Sequence, residues 1–256
     1  MSPLRWPDPA SHPGSSASGR AFFAFCRSAC AVTVRTLYGH RAHNIDALGE
    51  PGPLQSASYH LWVLVAAMVG CRVTRRQLDF VARRGLFKGP GAWLLPRIHA
   101  FPIDEHGADT AAIKQTLRRL ALGRAVVIFP EGTRTPDGAM RDYKRGIALL
   151  IKRARCPVLP AAVEGAFDVW PRGADRPRLR GPKLESAFGE PIPHEELLAD
   201  GPDAALQRLA RETDALRLRL RENIRARTNG RFPLPGPGDR ALETADEGRR
   251  DQGPEA

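Results

Sequence analysis

Val126-Val-Ile-Phe-Pro-Glu-Gly-Thr-Arg-Thr135 decides the fold. Its first half is a short uncharged run of β-branched and aromatic residues, the composition of a strand buried on both faces. The run stops at Pro130 and Gly132, so a strand over Ala125 to Phe129 delivers Glu131 and Arg134 to its carboxyl end. Open α/β sheets place their ligands at that end. Gly132 allows a close approach of backbone to ligand, and Arg134 carries a planar fork suited to a phosphate. An acid and a base in a strand-to-helix loop also suit a simple surface ion pair, and both readings stand on these residues alone.

Outward from this stretch, short apolar runs alternate with helical periods. Further strands are expected over Leu78 to Val81, Ala100 to Ile103, Val158 to Val163 and Leu184 to Phe188. Between them, Ile113, Leu117 and Leu120 share one helical face, as do Ile147, Leu150 and Ile151. Such alternation predicts an α/β layered fold with a largely parallel sheet flanked by helices. A last helix, about Asp203 to Arg227, spaces Leu206, Leu209, Thr213, Leu216, Leu220 and Ile224 for docking on the body. Ahead of the body, Ala21 to Tyr38 interleaves Phe22, Phe23 and Phe25 with Arg20, Arg27 and Arg35. It suits either a helix packed on the body or one lying in a membrane interface. The expected organisation is a disordered segment over 1–19 and the amphipathic helix with its lead-in over 20–49. The main domain and docking helix then cover 50–228, and a disordered tail follows over 229–256.

The 256 residues carry 39 Lys and Arg against 28 Asp and Glu, a net charge of +11, with 42% hydrophobic residues. That apolar share supplies a core, so disorder of the whole chain is excluded. The longest uncharged apolar run, Leu61 to Cys71, falls well short of the roughly 20 residues that cross a bilayer. Four scattered cysteines, Cys26, Cys30, Cys71 and Cys156, make neither a disulfide framework nor a zinc site. The positive excess suits nucleic acid, an anionic membrane surface or an anionic small substrate. The arginines are dispersed and no zinc finger, RNP-type motif or glycine-lysine phosphate loop occurs, so no nucleic-acid partner is expected.

Phe129-Pro-Glu-Gly-Thr-Arg134 resembles the signature block of the glycerolipid acyltransferases, and the chain is similar to their lysophosphatidic acid acyltransferase group. The likeness extends through Leu78-Asp-Phe-Val-Ala-Arg-Arg-Gly-Leu-Phe87, Ala100-Phe-Pro-Ile-Asp104, Cys156-Pro-Val-Leu-Pro160 with Glu164-Gly165, and Phe188-Gly-Glu-Pro-Ile192. Order and spacing agree over about residues 50 to 195. The resemblance implies the layered fold of glycerol-3-phosphate acyltransferases. It also implies transfer of a fatty acyl group from acyl-CoA or acyl carrier protein to lysophosphatidic acid (1-acylglycerol 3-phosphate), forming phosphatidate for phospholipid biosynthesis. By the same resemblance Glu131, Gly132, Thr133, Arg134 and Arg83 bind the glycerol phosphate, and Val158 to Pro160 border the acyl-donor channel. Acyl transfer to a hydroxyl calls for no metal and no cofactor beyond the acyl donor.

In that family a His-x4-Asp block removes the proton from the attacking hydroxyl, the acid holding the imidazole tautomer. Here the corresponding stretch is Ser58-Tyr-His-Leu-Trp-Val-Leu-Val65: His60 matches the base, but Val65 stands at the acid's position and Tyr59 at the usual Asn. His60 is the expected catalytic residue. The spacing recurs in His99-Ala-Phe-Pro-Ile-Asp104, where an intervening strand sends the two side chains apart. The family's Ile-Asp-Arg also becomes Ile103-Asp-Glu105, replacing an anion-binding arginine by an acid and shifting phosphate recognition toward Arg134, Arg83 and Lys144. These departures support an alternative, an impaired acyltransferase-fold protein that binds lysophospholipid without efficient turnover. The expected location is cytoplasmic, peripheral on the inner face of the cytoplasmic membrane, where each Lys or Arg near an anionic leaflet contributes about 1 kcal/mol.

Overall fold

A computed structural model describes residues 17–48, 52–58, 78–103, 110–133, 135–171 and 173–242. In chain order the elements are α1 (Ala17–Tyr38), β1 (Arg41–His43), β2 (Leu54–Ser58), β3 (Leu78–Arg83), α2 (Pro90–Arg97) and β4 (Ala100–Ile103). Next come α3 (Thr110–Ala121), β5 (Ala125–Ile128), α4 (Gly146–Ala154) and β6 (Val158–Glu164). α5 (Ala166–Val169), β7 (Glu185–Phe188), α6 (His194–Leu197) and α7 (Pro202–Arg227) complete the set. The strands form one 7-stranded sheet in the order β1-β7-β6-β2-β5-β3-β4. Strands β6, β2, β5, β3 and β4 are mutually parallel, whereas β7 runs antiparallel to β6. The fold is therefore α/β with a mixed, largely parallel sheet, as the alternation of elements predicts.

Every residue of β5 and β6 is buried, which explains why those strands read as unbroken apolar runs. On one face Phe80, Ala82, Val127, Phe129, Leu159 and Ala161 pack with Leu95 of α2 and with Ile98. On the other, Phe101, Val126 and Ile128 meet Ile113 and Leu120 of α3 and Leu150 of α4. Each large side chain so buried contributes about 1.5–3 kcal/mol. Leu216 and Leu220 of α7 extend the second layer over Ala162 and Ala187.

The central strand is the one that composition conceals. β2 is Leu-Gln-Ser-Ala-Ser, with Gln55 and Ser56 only 2% and 3% exposed, and it lies between β5 and β6. Its identity comes from ladder hydrogen bonds on both sides, not from apolar side chains. β1 is equally cryptic, since Arg-Ala-His forms a strand only by pairing with Glu185, Ser186 and Ala187 of β7.

The tail departs from expectation. Residues 229–242, anticipated as disordered from their Pro, Gly and charge content, are strapped across the body by arginines of α7. Arg221 pairs with buried Glu164 at 2.6 Å and with Asp239 at 2.6 Å, and it also donates to the Leu234 carbonyl. Arg217, fully buried, pairs with Asp214 at 2.7 Å and donates to the carbonyls of Gly238 and Arg240. Apolar content alone underestimates a segment held by charge-assisted bonds to its backbone. At the other end, α1 begins at Ala17, so the expected disordered segment over 1–19 is helical from that residue.

Candidate active site

The parallel strands align their carboxyl ends along one edge of the sheet. Ala57 of β2 stands opposite Ile128 of β5, Val127 opposite Phe80 of β3, and Arg83 opposite Ile103 of β4. Neighbouring strands lie about 4.8 Å apart, so the loops leaving β2 and β5 start side by side.

The loop after β5 is held by its own local hydrogen bonds. The Gly132 N–H donates to the Phe129 carbonyl at 3.0 Å, making a tight turn, and Gly132 has φ +70°, which suits glycine. Glu131 is 5% exposed, and the Arg141 backbone N–H donates to its Oε2 at 3.2 Å. Past the turn, the buried Thr135 hydroxyl accepts from the Gly138 N–H at 3.0 Å and donates to Asp137 Oδ1 at 3.0 Å. Asp137 Oδ1 accepts in turn from the Ala139 N–H. These local bonds replace the secondary structure that the segment between β5 and α4 lacks. The Lys144 N–H donates to the Pro130 carbonyl at 3.0 Å and returns the chain to the strand end just before α4.

Lys144 lies across the same turn. A methyl group built on Gly132 would sit 2.4 Å from Lys144 Cε and 2.7 Å from its Nζ, so the lysine stem runs over the glycine. The preceding residue, Tyr143, is buried beside Thr213 and Asp214 of α7, and burial pushes its phenol well above the usual range, so it stays protonated.

Of the residues expected from sequence, Glu131, Gly132 and Thr133 share this turn. Arg83 ends β3 on the same edge, with its backbone alone described. His60, Val65, Arg134, Asp104 and Glu105 fall outside the described residues; β2 ends at Ser58, two residues before His60. Of the competing pair, His99 is 4% exposed at the amino end of β4, packed edge-on to Phe23 with centroids 4.9 Å apart. Asp104 follows the carboxyl end of that strand. The amide of Arg141 is a participant with no sequence signal, since any residue except proline offers an N–H. Among the described residues no group of His, Cys, Asp and Glu could hold a metal ion. A cleft of about 520 Å³ between α7 and β7, lined by residues such as His43, Phe188, Glu190, Leu216 and Arg219, shares no residue with this turn.

The family model described as Acyltransferase matches residues 58–164, from the last residue of β2 to the last of β6. The chain is 29% identical over 204 residues to the 1-acyl-sn-glycerol-3-phosphate acyltransferase of Bacillus subtilis, covering 78% of this chain and 96% of that one. It is 35% identical over 105 residues to the Pseudomonas aeruginosa protein of the same name, covering 40% of this chain and 37% of that one. Among solved structures it resembles the 1-acyl-sn-glycerophosphate (LPA) acyltransferase PlsC from Thermotoga maritima, with a TM-score of 0.58. That match covers 78% of this chain and 84% of the other at 17% identity, a likeness of fold.

Proposed function

We propose that the chain, which resembles the 1-acyl-sn-glycerol-3-phosphate acyltransferases, transfers a fatty acyl group from acyl-CoA or acyl carrier protein to 1-acylglycerol 3-phosphate, forming phosphatidate. The observation that carries the reading is the adjacency of β2 and β5. β2 leads within two residues to His60, and β5 leads within three to Glu131, on parallel neighbours paired Ala57 to Ile128. Two residues of extended chain span at most about 7 Å, which bounds how far a base at position 60 can stand from the end of β2.

In the proposed reaction the free hydroxyl of the lysolipid attacks the thioester carbonyl while His60 removes its proton. The new ester C–O bond forms, the C–S bond breaks, and the thiol departs with the proton returned from the imidazole. Glu131, Gly132, Thr133, Arg134 and Arg83 hold the glycerol phosphate. Incubation with palmitoyl-CoA and 1-oleoylglycerol 3-phosphate should give phosphatidate by mass spectrometry. Thioester hydrolysis with no new lipid would refute acceptor transfer.

One observation favours a second reading. Val65 replaces the orienting acid, and losing that acid from a comparable triad costs roughly 10^4 in kcat. A protein that retains lysophospholipid but forms no product would be the impaired version.

We place the protein at an anionic membrane surface through α1. Among the described residues no helix is long and apolar enough to cross a membrane. α1 packs on the body through Cys26, Val34 and Tyr38, while Phe25 and Val32 are 70% and 61% exposed on its outer side. Trp93 of α2 meets Phe22 edge-on, with Arg97 stacked 4.3 Å over its ring. Exposed aromatics beside arginines suit an interface between acyl chains and phosphates.

A further inference from the structure

We propose that the loop between α5 and β7, with the adjoining part of the strap, forms a second contact with an anionic lipid surface, apart from α1 and at the sheet edge that carries Glu131. The inference rests on the acyltransferase reading and names where the protein meets the bilayer that holds its acceptor. The first support is composition. Residues 173–183 carry Arg176, Arg178, Arg180 and Lys183 against Asp175 as the one acid. Leu179 is 57% exposed between two exposed arginines, and Leu234 of the strap is 47% exposed. Arg176 and Arg180 are exposed and make no ion pair among the described residues, so both charges are available to a partner.

The second support is placement. β6 runs parallel to β2, as β2 does to β5, so the chain leaving β6 through α5 emerges at the same edge as the turn bearing Glu131. A methyl group built on Gly138, in the loop after β5, would lie 3.3 Å from the Phe167 ring of α5, so the two connections touch. The basic loop has a fixed shape: the Arg178 N–H donates to the Val169 carbonyl at 2.7 Å, and Trp170 Nε1 donates to the Ala174 carbonyl at 2.8 Å. Asp168, next to Val169, accepts from the Leu234 N–H through Oδ1 at 3.2 Å, which brings the strap leucine to the same side. Leucines rimmed by cations suit a boundary where apolar side chains enter the acyl region and guanidinium groups stay among phosphates. A nucleic acid would use the arginines and leave both leucines in water, whereas a lipid surface engages both.

The test is sedimentation of the full chain with vesicles of phosphatidylglycerol and phosphatidylcholine. Wild type is compared with Leu179→Ser, with Arg176→Gln/Arg180→Gln and with Arg176→Lys/Arg180→Lys. Each cation beside an anionic leaflet accounts for about fivefold in partitioning, so the double Gln variant should bind about 25-fold more weakly. The double Lys variant should bind like wild type, and Leu179→Ser should bind severalfold more weakly. Equal sedimentation of wild type with either the double Gln variant or Leu179→Ser overturns the proposal, as does a double Lys variant as weak as the double Gln one. No sedimentation by wild type overturns it as well. A loss in the double Gln variant confined to binding of duplex DNA would assign the arginines to nucleic acid and also overturn it. Vesicle binding requires no turnover, so a wild-type chain that sediments but forms no phosphatidate fails the acyltransferase reading alone.

Discussion

The backbone N–H of Arg141 donates to Glu131 Oε2 at 3.2 Å, so the segment that closes the loop after β5 also orients the acid that opens it. Glu131 is buried, and removing its oxygens would strand a donor at a cost of about 1–3 kcal/mol. Glu131→Gln keeps an acceptor but not the charge. We expect Glu131→Gln to lower kcat/KM at least about tenfold with little change in Tm, and Glu131→Ala to lower both. Steady-state assays beside thermal melts separate the two. Equal activity in wild type and Glu131→Gln would remove the charge of Glu131 from the site.

Arg221 holds the tail to the sheet. Its guanidinium reaches Glu164 at the end of β6, Asp239 and the Leu234 carbonyl. Burial pushes the Glu164 carboxyl up and Arg221 opposes the push, so removing the arginine alone leaves an acid without its compensating charge. Arg221→Met should cost about 3–5 kcal/mol in chemical denaturation. Adding Glu164→Gln should restore part of that loss. Additive losses in the double variant would mean that the pair is not coupled.

The same network gives a pH signature. Burial raises the Asp239 carboxyl, but hydrogen bonds from Arg221, the Gly236 N–H and Arg225 outweigh it and hold it at about 2, below its ordinary 3.8. A carboxylate whose folded value is depressed stabilises above its unfolded value and loses that contribution as pH falls through the folded one. The stability difference between wild type and Asp239→Asn should therefore be full above about pH 5 and shrink between about pH 4 and 2. A difference that stays flat across this window would contradict the ion-pair account of the strap.

Much of this architecture is legible in the residues themselves. β5 and β6 are apolar throughout because both sheet faces are covered, and Pro130 and Gly132 mark the strand end beside Glu131. β2 is not legible, because Gln55, Ser56 and Ser58 take their strand character from pairing with β5 and β6. The strap over 229–242 is hidden for a related reason: its anchors are arginines of α7 and backbone carbonyls, which composition counts as solvated. Lys144 and Gly132 are separated along the chain by a turn whose path depends on Thr135 and Asp137, so their contact emerges only in three dimensions.

α1 offers a surface test. Phe25 and Val32 project away from the body, so replacing both by Ser should leave the fold unchanged and weaken sedimentation with anionic liposomes. Each buried apolar side chain of this size contributes about 1.5–3 kcal/mol in an apolar environment, so a loss of at least tenfold in partitioning is expected. Equal sedimentation would move the membrane contact away from α1.

The most direct test of the central claim is the rate of thiol release from palmitoyl-CoA in the presence of 1-oleoylglycerol 3-phosphate, measured for wild type and His60→Ala. A positioned general base contributes about 10^2 to 10^4 in rate, so the account predicts acceptor-dependent release that falls by at least about a hundredfold in His60→Ala. Equal rates in the two proteins would contradict it.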